Sequence, residues 1–180
     1  MKKAKYIHLS KLDVAKRQLD VAIQLFLNNS DVVAIHTLTA AAHEVLRGLS
    51  KQRNLKSFIK DEMVRNIKEK KQKEFVKMIN EAENFFKHAD RDPDKLLKFY
   101  IGPTEFLLWD ACRMYQMITN ERPPLIVVFN FWFHLAYSYL ILDEETRNLY
   151  AQFQTNFNLN PENRAPFLNL LPYIIKMLRR

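Results

Sequence analysis

The chain has 180 residues, of which 48% are hydrophobic and 27% are charged, and its formal net charge is +8. These proportions exclude a disordered chain and suit one compact domain with a substantial core. With only two glycines, tight hairpin turns that need positive φ are scarce. We therefore exclude an all-β fold and predict a single all-α domain over residues 1–180.

Two amphipathic helices are predicted first. Residues 11–27 place Leu12, Leu19 and Phe26 on one stripe with neighbouring alanines, and a similar stripe follows over residues 31–49. Asn-Asn-Ser-Asp separates them, and Ser30 or Asp31 can cap the second helix. Because the connection is so short, the two helices should pack as an antiparallel pair.

A basic connector follows over residues 51–77, with ten Lys or Arg against four Asp or Glu. Such a segment attracts polyanions such as RNA or DNA. The alternative is that these charges only solvate a connector and an exposed helix face. The candidate RNA-binding lysines within it are Lys68, Lys70, Lys71 and Lys73.

Apolar residues at helical spacing from Phe75 to Phe86 predict a third helix. It should end near Asp90, because Pro93 disfavours helical geometry at the residue before it. Asp92 and Pro93 then match an N-cap and a first-turn proline, which predicts a short helix over residues 93–100.

The remaining elements are all predicted to be helical. A helix begins after the break at residues 102–105 and closes at Pro123-Pro124, and an uncharged helix covers residues 125–142. Its polar stripe of Asn130, His134 and Ser138 favours a buried or interface-forming helix over a membrane span. Asp143-Glu144-Glu145 suits the start of a further helix, and Pro172 should interrupt any final one.

The polar cluster of residues 84–94 is the strongest candidate site. Asn84 and His88 share a helix face, and His88 lies between Lys87 and Arg91, so its charged form is disfavoured. A neutral imidazole can act as a base near neutral pH, which suits attack of a ribose 2′-OH on its neighbouring phosphate without a metal. The alternative is that Asp90 and the other aspartates pair with the cations and the cluster only ends a helix.

Other chemistry has little support. His43-Glu44 is not followed by the second histidine of a zinc peptidase motif, and no phosphate-binding loop or Rossmann fingerprint occurs. We therefore predict no metal and no cofactor. His36 and His43 are each expected to be ordinary packed or surface residues. Cys112 is the single cysteine, and no signal peptide is evident at the N-terminus, so a cytoplasmic location is expected.

The segment AKRQLDVAIQLFLNNSDVVAIHTLTAAAHEVLRGLSKQR resembles the opening helix pair of HEPN domains, and Ala41-Ala42-His43-Glu44 matches the Ala-Ala-x-Glu-type stretch of the family's second helix. The third helix ends in Asn84-Phe85-Phe86-Lys87-His88, similar to the Asn-x-x-Lys-His ending of divergent HEPN-like groups. The resemblance covers residues 11–120 and leaves residues 121–180 as a helical extension, for which we predict a role in a dimer interface.

This resemblance implies an all-α, HEPN-like antiparallel bundle, usually dimeric, of the kind found in prokaryotic toxin–antitoxin and antiphage systems. Many such domains are metal-independent RNases. His88 would match the motif histidine, and Glu44 the acidic residue that orients it together with Asn84. No arginine precedes His88 at the family spacing, and Lys87 or Arg91 would supply the phosphate contact instead. The alternative is a non-catalytic helical dimer that binds a protein or a ligand.

Overall fold

The computed structural model describes residues 5–65, 68–88, 90 and 93–179, and within them every regular element is helical. The all-α prediction is confirmed. The α-helices are α1 (Lys11–Leu27), α2 (Val32–Lys51), α3 (Glu69–Lys87), α4 (Gly102–Thr119), α5 (Pro124–Ala136), α6 (Glu144–Asn156) and α7 (Leu171–Leu178). A π-helix, Phe58–Met63, lies between α2 and α3, and short 3₁₀ segments cover Ser138–Leu140 and Ala165–Leu170.

Side-chain caps fix where several helices begin. Ser10 and Asp13 form a capping box at α1, where the Asp13 amide donates to Ser10 Oγ over 3.1 Å. Asp31 accepts from the Ala34 amide at the start of α2, and Asp143 does the same for the Thr146 amide at α6. The predicted breaks before α2 and α6 are thus confirmed.

The core is built where α1, α2, α4 and α5 meet. Leu19 and Phe26 of α1 and Leu108 of α4 are buried in it together with Phe129 of α5. The Phe26 ring makes edge contacts with Phe129 and Trp132, with centroids 5.4 and 4.5 Å away. Since α5 enters the same core as α1, the C-terminal third packs on the helix pair.

Three local predictions are wrong. Residues 95–100 form no helix. Leu97 and Phe99 turn inward, whereas their neighbours in the chain are exposed. Burial that alternates with a period of two is typical of an extended chain. The uncharged helix ends at Ala136, and a 3₁₀ turn follows it. Pro172 does not interrupt the last helix but sits in the first turn of α7, where its missing N–H costs nothing.

The third helix is longer and more peripheral than the sequence indicates. It begins at Glu69 and ends at Lys87, and none of its described side chains is fully buried. Phe86 is half-buried and packs edge-on against His36 and Phe99, with centroids 5.6 and 5.4 Å away. No described helix is long and apolar enough to cross a membrane.

Candidate nucleic-acid interface

The predicted histidine site lies at the C-terminal end of α3. His88 is the residue that ends the helix, and its side chain is 40% exposed. Its Nδ1 lies 4.0 Å from the Asp90 carboxylate, which is beyond hydrogen-bonding distance. The imidazole is therefore accessible to solvent and is not hydrogen-bonded to that aspartate. Asn84 is exposed on the same helix. Arg91 lies outside the described residues.

Lys87, which was predicted to bind phosphate, is engaged by a carboxylate of its own helix. Its Nζ lies 2.6 Å from Glu83 Oε1, one turn earlier. Glu83 is mostly buried, whereas Lys87 remains half-exposed. The positive charge next to His88 is therefore partly compensated in this structure.

Glu44 is not in contact with His88 but is linked to α3 through Lys60, a residue outside the predicted site. Lys60, from the π-helix, binds the Glu44 carboxylate and also lies 3.6 Å from Glu83 Oε2. Burial alone would raise the pKa of Glu44, but the bond from Lys60 holds that pKa below its ordinary value. Lys60 thus joins α2, the π-helix and α3.

A buried polar network positions the π-helix that carries Lys60. Asp110 of α4 accepts from His43 Nε2 at 2.9 Å and from Ser57 Oγ at 2.6 Å. The same carboxylate accepts from the amides of Phe58 and Ile59, the first two residues of the π-helix. Asp110 therefore satisfies backbone donors that a helix start leaves free.

His43, Ser57 and Asp110 have no exposed surface, so this grouping of serine, histidine and aspartate cannot meet a substrate. The aspartate also bonds both partners directly, whereas a nucleophilic triad places histidine in the middle. Burial alone would raise the pKa of Asp110, but hydrogen bonds from His43 and Ser57 hold it below its ordinary value. We assign the network a structural role.

His36 is likewise a packed residue. A hydrogen bond of 2.9 Å joins its Nδ1 to Thr104 Oγ1, and its ring is buried against Phe86 and Phe99. Burial lowers the pKa of His36. The hydrogen bonds of His36 and His43 join each of them to a residue more than sixty positions away in the chain. A local sequence pattern cannot indicate such contacts.

A concave basic surface lies in a cleft between the end of α2 and the π-helix, with a volume of about 570 Å³. We call it the cationic cleft. Its charged and polar lining consists of Lys51, Asn54, Lys56, Lys60, Asp61 and Arg65. Four of these six side chains are cations, so the cleft suits an anionic group.

Among the described residues that line the cationic cleft, the one carboxylate already has hydrogen-bond partners. Asp61 pairs with Arg47 through two guanidinium nitrogens, at 2.7 and 3.1 Å, and also accepts from the Ser57 amide. Burial alone would raise the pKa of Asp61, but the bond from Arg47 keeps it below its ordinary value. By contrast, Lys51, Lys56 and Arg65 form no ion pair with any other described residue. The cleft therefore presents three cations that form no ion pair with a described carboxylate, although Lys51 also interacts electrostatically with Asp61.

The predicted lysines of α3 continue from the cationic cleft. Lys68 follows Arg65 by three residues, a span of at most about 11 Å. Lys70 and Lys73 are exposed on the first turns of α3. Lys71 is exposed too, but its Nζ lies 2.6 Å from Glu74, so part of its charge is compensated.

Comparisons with protein-family models, curated proteins and solved structures found no match to this chain. The resemblance to HEPN domains therefore stays a prediction. Within the described part of the chain, no three His, Cys, Asp or Glu side chains lie together as they would around a metal ion.

Proposed function

We propose that the protein binds RNA through the cationic cleft and the lysines at the start of α3. The observation that carries this proposal is the convergence of Lys51, Lys56 and Arg65 on one cleft, in which the only carboxylate of a described residue is already bound by Arg47. A polyanion gains most from cations that have no internal partner, because no ion pair must be broken to bind it.

RNA cleavage at His88 is a second step of the same proposal. Lys60 lines the cationic cleft and contacts Glu83, and His88 lies five residues further along α3, about 8 Å by helix rise. One RNA strand is long enough to contact both places. His88 would accept the proton of a ribose 2′-OH, whose oxygen attacks the adjacent phosphorus as the 5′-oxygen of the next nucleotide leaves.

The contacts of Asn84, Glu44 and Lys87 decide which of them can act directly in cleavage. Asn84 and the exposed imidazole face solvent together, whereas Glu44 reaches α3 only through Lys60 and Glu83. Lys87 would hold phosphate only if it exchanged its bond to Glu83 for one to the RNA. This geometry and the HEPN resemblance support RNA binding more directly than they support cleavage. We propose a role in prokaryotic antiphage defence or in a toxin–antitoxin pair from the resemblance alone.

Fluorescence anisotropy with a labelled single-stranded RNA tests the binding step. We expect the triple variant Lys51→Gln/Lys56→Gln/Arg65→Gln to bind at least tenfold more weakly than the wild type at low salt. The control is Lys11→Gln/Arg17→Gln/Arg122→Gln, which removes the same charge from exposed positions elsewhere. Equal loss in both variants would show that only net charge matters and would refute the cleft as the binding site.

His88→Ala separates cleavage from binding. We expect it to abolish formation of a 2′,3′-cyclic phosphate end while leaving RNA affinity and the melting temperature nearly unchanged. If wild type and variant both leave the RNA intact, the protein is an RNA-binding module and the cleavage step is wrong.

A second candidate function is a non-catalytic homodimeric module. It is favoured by the exposed apolar residues of α6 and α7, which include Leu149, Phe153, Tyr173 and Met177. Large exposed apolar patches mark interaction surfaces in soluble proteins. The two candidates are compatible, since the cationic cleft and this apolar surface are built from different helices.

A further inference from the structure

An apolar groove opens between α6 and α7, with α5 as its floor. Its volume is about 350 Å³, and its lining includes Phe131, Leu149, Phe153, Phe157, Tyr173 and Met177. The Phe131 ring contacts Tyr150 and Phe153, at centroid distances of 5.3 and 5.8 Å, which fixes the floor against α6. The groove is therefore part of the folded structure.

Several side chains that line this groove are exposed. Tyr173 and Met177 of α7 are 64% and 60% exposed, and Leu149 and Phe153 of α6 are 52% and 41% exposed. A stable interface buries roughly 800 Å² on each partner. The groove would therefore form the apolar centre of a larger contact.

Charges of both signs flank the groove. Phe157, which follows the last turn of α6, contacts Tyr173 in the first turn of α7, with ring centroids 5.7 Å apart. Glu144 and Glu145, in the acidic first turn of α6, directly precede the lining residue Thr146, and Lys176, in the basic last turn of α7, precedes the lining residue Met177. Neither glutamate, nor Lys176, nor Arg179 forms an ion pair with another described residue.

The overall charge of this end of the molecule permits two copies to meet. Residues 137–180 contain four acidic and five basic side chains, whereas residues 51–77 carry a net charge of +6. Association through the groove would leave the basic segments outside the contact, where they repel each other least.

We propose that a second copy of this chain closes the groove in a two-fold symmetric dimer, with the acidic turn of α6 in one copy facing the basic turn of α7 in the other. A two-fold axis makes this pairing occur twice, because the same patch serves both subunits. This dimer rests on the dimeric module proposed above, for which it names the interface, and it does not depend on RNA binding.

Sedimentation velocity of the full chain without RNA tests the dimer. We expect the wild type to sediment at twice the chain mass of 21.5 kDa, and Met177→Glu or Tyr173→Glu to sediment at the single mass. Met78→Glu is the matched control, because Met78 is 62% exposed on α3, far from the groove in the chain. Circular dichroism melting verifies that each variant is folded. A wild type that stays monomeric at tens of micromolar, or a Met177→Glu that stays dimeric, overturns the proposal.

A charge exchange tests the predicted pairing itself. Glu144→Lys/Glu145→Lys and Lys176→Glu/Arg179→Glu should each weaken self-association at least tenfold. An equimolar mixture of the two should restore the dimer, because each reversed turn then meets one of opposite charge. If the mixture stays monomeric although each variant is folded, the acidic and basic turns do not face each other and the proposed arrangement is wrong. RNA anisotropy remains the separate test of the cationic cleft.

Discussion

Asp110 shows how one buried charge can determine the shape of a surface. Its carboxylate accepts hydrogen bonds from His43, Ser57, Phe58 and Ile59, and so joins α2 and α4 to the start of the π-helix. The π-helix in turn carries Lys60, which lines the cationic cleft. Removing one partner from such a network leaves buried donors unpaired, which costs more than the bond itself is worth.

Asp110→Asn should therefore lower the free energy of unfolding by about 2–4 kcal/mol, because an amide cannot accept from all four donors. Urea denaturation measures the loss. Asp94→Asn, at an exposed position, is the control and should change the stability by less than about 0.5 kcal/mol. Equal stabilities for the two variants would contradict the structural role of Asp110.

His36 makes the stability depend on pH. Burial lowers the pKa of the folded His36, so below its ordinary value of 6.5 the unfolded chain binds the proton more readily than the folded protein does. His36 therefore stabilises the protein fully above pH 6.5, and this stabilisation is lost as the pH falls below that value. His134, whose pKa is also lowered by burial, acts in the same direction.

We expect the free energy of unfolding of the wild type to decrease between pH 7.5 and pH 5.5, and to decrease less in His36→Phe. Phenylalanine keeps the ring contacts with Phe86 and Phe99 but does not titrate. Urea unfolding at the two pH values gives both slopes. Identical slopes would mean that His36 is not the source of the pH dependence.

At the level of the helices, α3 stands apart from the rest of the bundle. None of its described apolar side chains is fully buried, whereas α1 and α2 supply much of the core. Lys60 bridges it to α2 through Glu83 and Glu44. A helix held by few buried contacts opens locally at a lower free energy than the global unfolding.

Hydrogen exchange should reveal this difference. Amides of α3 should exchange faster than those of α1, and Lys60→Met should speed the exchange of α3 further while leaving α1 unchanged. Lys77→Met, at an exposed position on α3, is the matched control and should have no effect. Protection of α3 equal to that of α1 would contradict the peripheral role assigned to it.

Apolar spacing and capping residues were enough to predict the elements whose structure depends on neighbours in the sequence. The α1–α2 pair and the caps at Asp31 and Asp143 follow from apolar spacing and from side chains three residues away. The extended segment after Pro93 could not be foreseen, because a short helix in isolation is marginal and Leu97 and Phe99 are fixed by packing instead.

The candidate site was foreseen only in part. The excess of basic residues predicted a polyanion surface, and the cationic cleft lies within that segment. The π-helix and the network of His43, Ser57 and Asp110 could not be predicted, since the bonds join residues 53 and 67 positions apart. One weak signal was available: His43 lies on the buried side of α2, where an unpaired imidazole would be costly.

At the level of the whole molecule, the cationic cleft and the apolar groove are built from different parts of the chain. Residues 51–77 carry a net charge of +6 and include the cationic cleft, while residues 137–180 are nearly neutral and form the apolar groove. A dimer formed through the groove would carry two cationic clefts on its outside. We therefore expect dimerisation variants to retain RNA binding and cleft variants to retain the dimer.

The most direct measurement is the salt dependence of RNA binding for the wild type and for Lys51→Gln/Lys56→Gln/Arg65→Gln. Each phosphate contact to a single strand contributes roughly 0.7 to the slope of log K against log salt concentration. If the three cations each hold one phosphate, the slope of the triple variant should be shallower by about 2. Equal slopes for the two proteins would show that the cationic cleft does not bind RNA.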